Sequence, residues 1–181
     1  VVSENNLKKF KASIDTLVID NKRTLHILNL KNKDSLPLLK ESLWALGTSY
    51  GSSFNFPILE EFINEGNLAK VKNSKIKNRL QAFSIQLNGF SYMDKYIENQ
   101  YFTSIEPYFN KHINYAEVFK RNKKLVQGGP EIDYNNFYNN LELWNIVTFK
   151  LETVLSQQIR LESFIILIEQ LKENLIDELD K

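Results

Sequence analysis

The C-terminal segment constrains this chain more than any other feature. Trp144, Val147, Leu151, Val154, Gln158, Leu161, Ile165, Ile168, Lys172, Leu175 and Leu179 follow one another at strict three- and four-residue intervals, and nine of the eleven are apolar. That interval belongs to an α-helix, which returns such positions to one side, and not to a strand, which alternates every second residue. Leu141, Leu155, Ile159, Phe164, Leu167 and Leu171 widen the stripe. A narrow seam would indicate a two-stranded coiled coil, whereas a wide one predicts a helix packed into a bundle. Over Leu141–Leu179 such a helix extends roughly 58 Å at its usual rise per residue.

A helix of that length cannot bury its stripe alone, so the rest of the chain must supply partners. Leu7, Phe10, Ile14, Leu17, Leu25 and Leu28, with Asn21 in the gap, predict a second long helix from about Asn5 to Leu30. Lys8, Lys9, Lys11, Lys22 and Arg23 form its solvated face. We expect the first and last helices to pack antiparallel, bringing Lys8, Lys9 and Lys11 towards Glu169, Glu173, Asp177, Glu178 and Asp180. Exposed ion pairs contribute about 0–1 kcal/mol each, so they would bias the orientation more than stabilise it.

Shorter helices are expected between the two. Ser35 and Pro37 suit a helix start, with Leu39, Leu43 and Leu46 as its stripe. Gly47–Ser53 reads as a loop. Asn55-Phe56-Pro57 opens a helix carried by Leu59, Phe62 and Ile63 and ended by Gly66, and Asn73-Ser74 opens a longer one through Ile76, Leu80, Phe83 and Leu87. Gly89 is expected to bend that helix, and Ser104–Pro107 to kink or restart it. A short helix is expected at Tyr115–Lys124, a loop at Gln127–Pro130, and a cap at Asp133. With 6 Gly and 4 Pro in 181 residues, the turns a sandwich or barrel needs are missing. The expected fold is all-α: an elongated antiparallel helical bundle of five or six helices with long first and last helices, as one domain over residues 1–181.

The chain offers little material for chemistry. It has no Cys, which excludes disulfides and thiolate catalysis, and its only histidines are His26 and His112. Gly47-Thr48-Ser49-Tyr50-Gly51 matches the G-x-S-x-G pattern, but that pattern has mechanical meaning at a strand-to-helix turn, and a helical stretch precedes it here. The residues three before the histidines are Arg23 and Phe109, so no Glu-x-x-His pair exists for a carboxylate-bridged metal centre. His112, between Phe109 and Ile113, reads as a partly buried, satisfied histidine. Lys70, Lys72, Lys75, Lys77 and Arg79 carry no interleaved aromatic and read as a solvated helix face, and the net charge of +1 gives no field for nucleic acid. Aromatic residues crowd between Phe83 and Trp144, where bulky rings are expected to fill a core around short helices. No catalytic, cofactor-binding or metal-ligating residue is expected, and no cofactor.

The stretch Glu65–Leu80 resembles a family. Gly66, Leu68, Val71, Asn73, Ile76 and Leu80 match the form G-x-L-x-x-I-x-N-x-x-L-x-x-x-L found in uncharacterised single-span membrane proteins of Bacteroidota, described only as a domain of unknown function. Looser similarity runs from Leu7 to Leu179. The resemblance implies a short cytoplasmic tail, one membrane helix, and this domain facing the periplasm from the bacterial inner membrane. It brings no activity with it. No such membrane helix is in the sequence: the longest apolar run, Phe164–Ile168, is far short of the ~20 residues a span needs, and the non-initiator Val1 fits an upstream segment having been removed. The motif itself reads as folding punctuation, with Gly66 ending one helix, Leu68 and Val71 pinning the connection, and Asn73 capping the next. The expected function is a non-enzymatic extracytoplasmic sensor or protein-interaction module of a membrane-anchored protein, its partner a protein or small ligand. The alternative is a soluble intracellular helical adaptor or scaffold.

Overall fold

A computed structural model describes residues 4–52, 54, 56–119 and 128–180. The protein is an all-α helical bundle, with six α-helices and no strand among the described residues: α1 (Glu4–Asn29), α2 (Pro57–Asn64), α3 (Ser74–Gln100), α4 (Glu106–His112), α5 (Tyr115–Val118) and α6 (Leu141–Leu179). Residue numbers rise along α1 as they fall along α6. Lys11 pairs with Glu162 at 3.1 Å, and Ile27 shares a core with Leu143 and Val147, so the two long helices run antiparallel. Contacts gather the chain into two compact units, one of residues 1–12, 51–95 and 157–181, the other of residues 13–50 and 96–156.

The core of the first unit is aromatic. Phe164 of α6 lies within 5.2–5.9 Å, centroid to centroid, of Phe54, Phe56, Phe83 and Phe90, and Phe10 of α1 closes edge-on upon Phe54. Edge-to-face and offset pairs of this kind add to what area burial alone contributes. A second, smaller cluster gathers Ile76, Leu80 and Leu171. Ser52 fastens its loop to α3 by donating its backbone N–H and its hydroxyl to the two oxygens of Asp94, at 2.8 and 3.0 Å.

The second unit is built around 3₁₀ turns where the sequence predicts an α-helix. Lys33–Glu41 and Leu43–Ala45 are both 3₁₀, and the cap is Asn32, whose side chain accepts from the Asp34 N–H, while Ser35 donates its hydroxyl back to the Asn32 carbonyl. A 3₁₀ helix eclipses residues three apart. Leu36 and Leu39, and then Leu43 and Leu46, stand at that interval and all four are buried. Tyr108, Phe109, Phe119 and Phe137 complete this core, as expected of the aromatic middle. Tyr92, Tyr96 and Phe102 instead point to solvent.

Other local expectations are refined in the same way. Helix α3 passes Gly89 without interruption and continues through a π-turn, Tyr101–Ile105, into α4, so Pro107 is absorbed by one widened turn. Asp133 caps a short 3₁₀ turn, Tyr134–Phe137, and α6 has its own cap in Asn140, which accepts from Leu143 N–H at 2.8 Å. His112 is exposed, not partly buried: it ends α4 with its ring over Tyr108, 4.6 Å between centroids. The expectations at Ser53, Asn55 and Lys120–Gln127 lie outside the described residues.

The largest correction concerns α6. Its extent is as expected, but the buried line is rotated towards the preceding residues: Val147, Lys150, Val154, Gln157, Leu161, Phe164, Leu171 and Asn174. Phe164 and Leu171 are among the residues expected to widen the stripe, and Val147, Val154 and Leu161 belong to both lines. Phe164 decides between them, because its ring completes the aromatic cluster and Ile165 beside it cannot. The rotation buries Lys150 and leaves Leu175 43% and Leu179 86% exposed.

Two glycines are required for different reasons, which gives a paired prediction. Gly66 follows the end of α2 at φ 75°, with nothing within 4 Å of where a Cβ would stand. Gly47 has an ordinary φ, but a Cβ there would lie 2.5 Å from Phe119 Cζ and 3.1 Å from Phe109 Cζ. Gly66→Ala is expected to lose about 1 kcal/mol, from backbone conformation alone. Gly47→Ala is expected to lose about 1–3 kcal/mol by displacing packed rings. Urea unfolding of both variants, with near-UV circular dichroism of the rings, checks this: only Gly47→Ala should alter the aromatic signal.

Candidate functional site

The first unit contains an unfilled apolar groove. Gly66 turns the chain back after α2, and Val71 and Asn73 lead it into α3. Pro57, Ile58, Leu59, Phe62 and Ile63 make α2 largely apolar; Leu59 and Phe62 pack against the Ile76, Leu80 and Leu171 cluster, yet none of its residues is fully buried. Between it and the helices behind lies a space of about 570 Å³, lined by Ile58, Leu59 and Phe62 on one side and Ile76, Leu80 and Leu175 on the other. That volume falls within the roughly 300–1,000 Å³ typical of ligand sites, which are mostly apolar with a few placed polar groups.

The polar groups stand at the rim. Asn73 accepts from the backbone N–H groups of Lys75 and Ile76, at 3.0 and 3.3 Å, which makes it the N-cap of α3 as expected. Its amide also donates to Glu178 at 2.8 Å, and both side chains line the groove with Lys72. Asn73 therefore has a role at the groove that its capping signature does not disclose. Of the basic run, Lys72 reaches this rim and Arg79 donates to the Gln170 carbonyl at 2.9 Å. The apolar stripe of α6 runs through the groove at Leu175 and stays exposed to Leu179.

The second unit holds an unusual polar pair. Lys150, on the core side of α6 and 1% exposed, donates from Nζ to Ser49 Oγ at 2.8 Å. Burial in apolar surroundings disfavours the charged form and pushes the ammonium down from 10.5 to about 8. Ser49, the central residue of the G-x-S-x-G stretch, is exposed, and its hydroxyl meets Lys150, not His26 or His112. Burial also raises Tyr134, to about 12, and raises Tyr108 further.

A cleft of about 690 Å³ flanks the π-turn in the same unit. Asn99, Gln100 and Asn145 line it together with the exposed side chains of Tyr96 and Phe149. The Gln100 side-chain oxygen is buried with no hydrogen-bond partner. Among the described residues, no three His, Cys, Asp or Glu side chains come together as a metal site would require. No protein-family model, no curated protein and no solved structure matches this chain.

Proposed function

We propose that this protein is an interaction module that works by binding, and that its recognition site is the apolar groove of the first unit, occupied by an amphipathic helix of a protein partner. One observation carries the reading: the exposed apolar stripe at the end of α6, Leu175 and Leu179, meets an unfilled apolar groove that Leu175 helps to line. A row of apolar residues at three- and four-residue intervals is complementary to another helix, whose side chains seat between its ridges. Lys72 and Glu178 give the rim one charge of each sign, which favours one direction of the incoming helix.

A short amphipathic peptide with leucines at i, i+3, i+4 and i+7 is the probe. It is expected to bind the full chain at one site and to displace an environment-sensitive apolar dye. Ile58→Asp and Leu175→Asp, both at exposed positions, should weaken the peptide at least about tenfold, because each places a charge against an apolar contact. Binding to both variants as tight as to the parent protein would contradict the groove.

A specific observation favours a second, sensing reading. The carboxamide side chains and rings that line the cleft by the π-turn suit a small neutral polyhydroxylated ligand. Saturable binding of a neutral disaccharide, lost in Asn145→Ala with peptide binding intact, would select it.

The setting belongs to the same proposal. The resemblance at Gly66–Leu80 supports a domain outside a bacterial inner membrane, anchored by a segment preceding Val1. No helix of the described residues is long and apolar enough to cross a membrane. About 20 apolar residues encoded directly upstream of Val1 would support the anchored reading. Their absence would favour the intracellular adaptor.

A further inference from the structure

Lys150 is the buried group that helical binding at the groove does not use. A lysine within an apolar helix seam is unfavourable unless it is paired, and the usual partner is a carboxylate. Here the acceptor of its hydrogen bond is a single serine hydroxyl, and desolvation alone accounts for its depressed basicity. The loop makes that hydroxyl accessible: Ser49 is exposed while Lys150 beneath it is not. Among the described residues the Ser49 backbone N–H has no hydrogen-bond acceptor, which leaves a donor on the nucleophile itself for a developing oxyanion. Nucleophile, adjacent base and free N–H are the parts of serine acyl transfer, and a lysine serves as the base on several unrelated folds.

We propose that Ser49 is an acyl-accepting nucleophile with Lys150 as its general base, and that it takes one acyl group from a small activated carboxylic ester. The neutral Lys150 amine removes the Ser49 Oγ proton as Oγ bonds to the ester carbonyl carbon. The tetrahedral oxyanion collapses, the bond to the leaving alcohol oxygen breaks, and the proton on Lys150 passes to that oxygen. The products are the Ser49 ester and the free alcohol; Lys150 returns to its neutral form and nothing is oxidised or reduced. The hydroxyl is the hydrogen-bonded link between Lys150 and the surface, so its acylation shields the base from water. The adduct therefore accumulates near one per chain and does not turn over, which is the behaviour of a covalent sensor. This goes beyond the groove and does not depend on it.

The test treats the full chain with p-nitrophenyl acetate and maps acetyl esters by peptide mass spectrometry. We expect an ester on Ser49 near one per chain and a nitrophenolate burst of the same size. The rate should rise with pH to a midpoint near 8, where Lys150 loses its proton. Ser49→Ala should abolish the burst, and Lys150→Met should slow it at least about 100-fold, the usual contribution of a general base. Circular dichroism checks the fold of both variants; should Lys150→Met not fold, Lys150→Arg keeps the charge without the base and should be as slow. Acetylation of Ser49 no faster than that of exposed Ser163, or unchanged in a folded Lys150 variant, would overturn the proposal.

Discussion

Phe164→Ala is expected to destabilise the protein by about 3–5 kcal/mol, the range for emptying a large aromatic site in a close-packed core. Phe164 is fully buried, and its ring meets Phe54, Phe56, Phe83 and Phe90, which reach it from α3 and from the chain before α2. No single neighbour can move into the space without leaving another ring unsupported, so the cavity should persist. In a chain of this size that loss corresponds to a melting temperature lower by roughly 10 °C or more. Phe164→Leu should lose clearly less, since most of the volume is retained. Urea unfolding of the three proteins measures both. A loss below about 1 kcal/mol for the alanine variant would mean that this cluster is not the core.

The second large effect has the opposite sign. Lys150 is pushed from 10.5 in the unfolded chain to about 8 in the folded one, so between those values the unfolded state binds more protons and stability rises with pH. Holding the ammonium in the core at pH 7 costs on the order of 3 kcal/mol, the free-energy equivalent of that shift. Lys150→Met keeps the length of the side chain and removes the charge. Less the single bond to Ser49, it is expected to be more stable than the parent at pH 7 by about 1–3 kcal/mol. The advantage should shrink through pH 8–10.5 and vanish above it. The raised tyrosines Tyr101, Tyr108 and Tyr134 are common to both proteins and cancel in the difference. A difference independent of pH would show that Lys150 is not buried as a cation. A residue that destabilises its own fold is a candidate for function, and this is what directs attention to Ser49.

Helical period makes α1 and α6 legible in the sequence almost to their ends, because one face of each must be buried whatever else the chain does. Gly66 and Asn73 are legible for a local reason: a left-handed turn and a capping side chain are decided within a few residues. The 3₁₀ turns at Lys33–Ala45 are less so, since Leu36, Leu39, Leu43 and Leu46 fit either helix and tertiary burial chooses the tighter one. The rotation of α6 is set by Phe164 meeting rings from distant segments, which no window of α6 contains. Lys150 was hidden by the same fact, its partner lying 101 residues away and its type suggesting solvent. A seam one residue earlier along α6 passes through Lys150 and Arg160, and the composition of that line marks no reason for burying a cation. The groove is likewise assembled from α2, α3 and α6, and its apolar residues read as core because no window of the sequence shows that α2 covers its neighbours only in part.

The central claim is that the groove receives a helix, and methyl-selective NMR of the full chain tests it most directly. On saturation with the leucine-bearing amphipathic peptide, shifts should be confined to the methyls of Ile58, Leu59, Val71, Ile76, Leu80 and Leu175. Leu36, Leu39 and Leu43, in the core of the other unit, should stay in place. Shifts spread over both sets, or none in the first, would contradict the account.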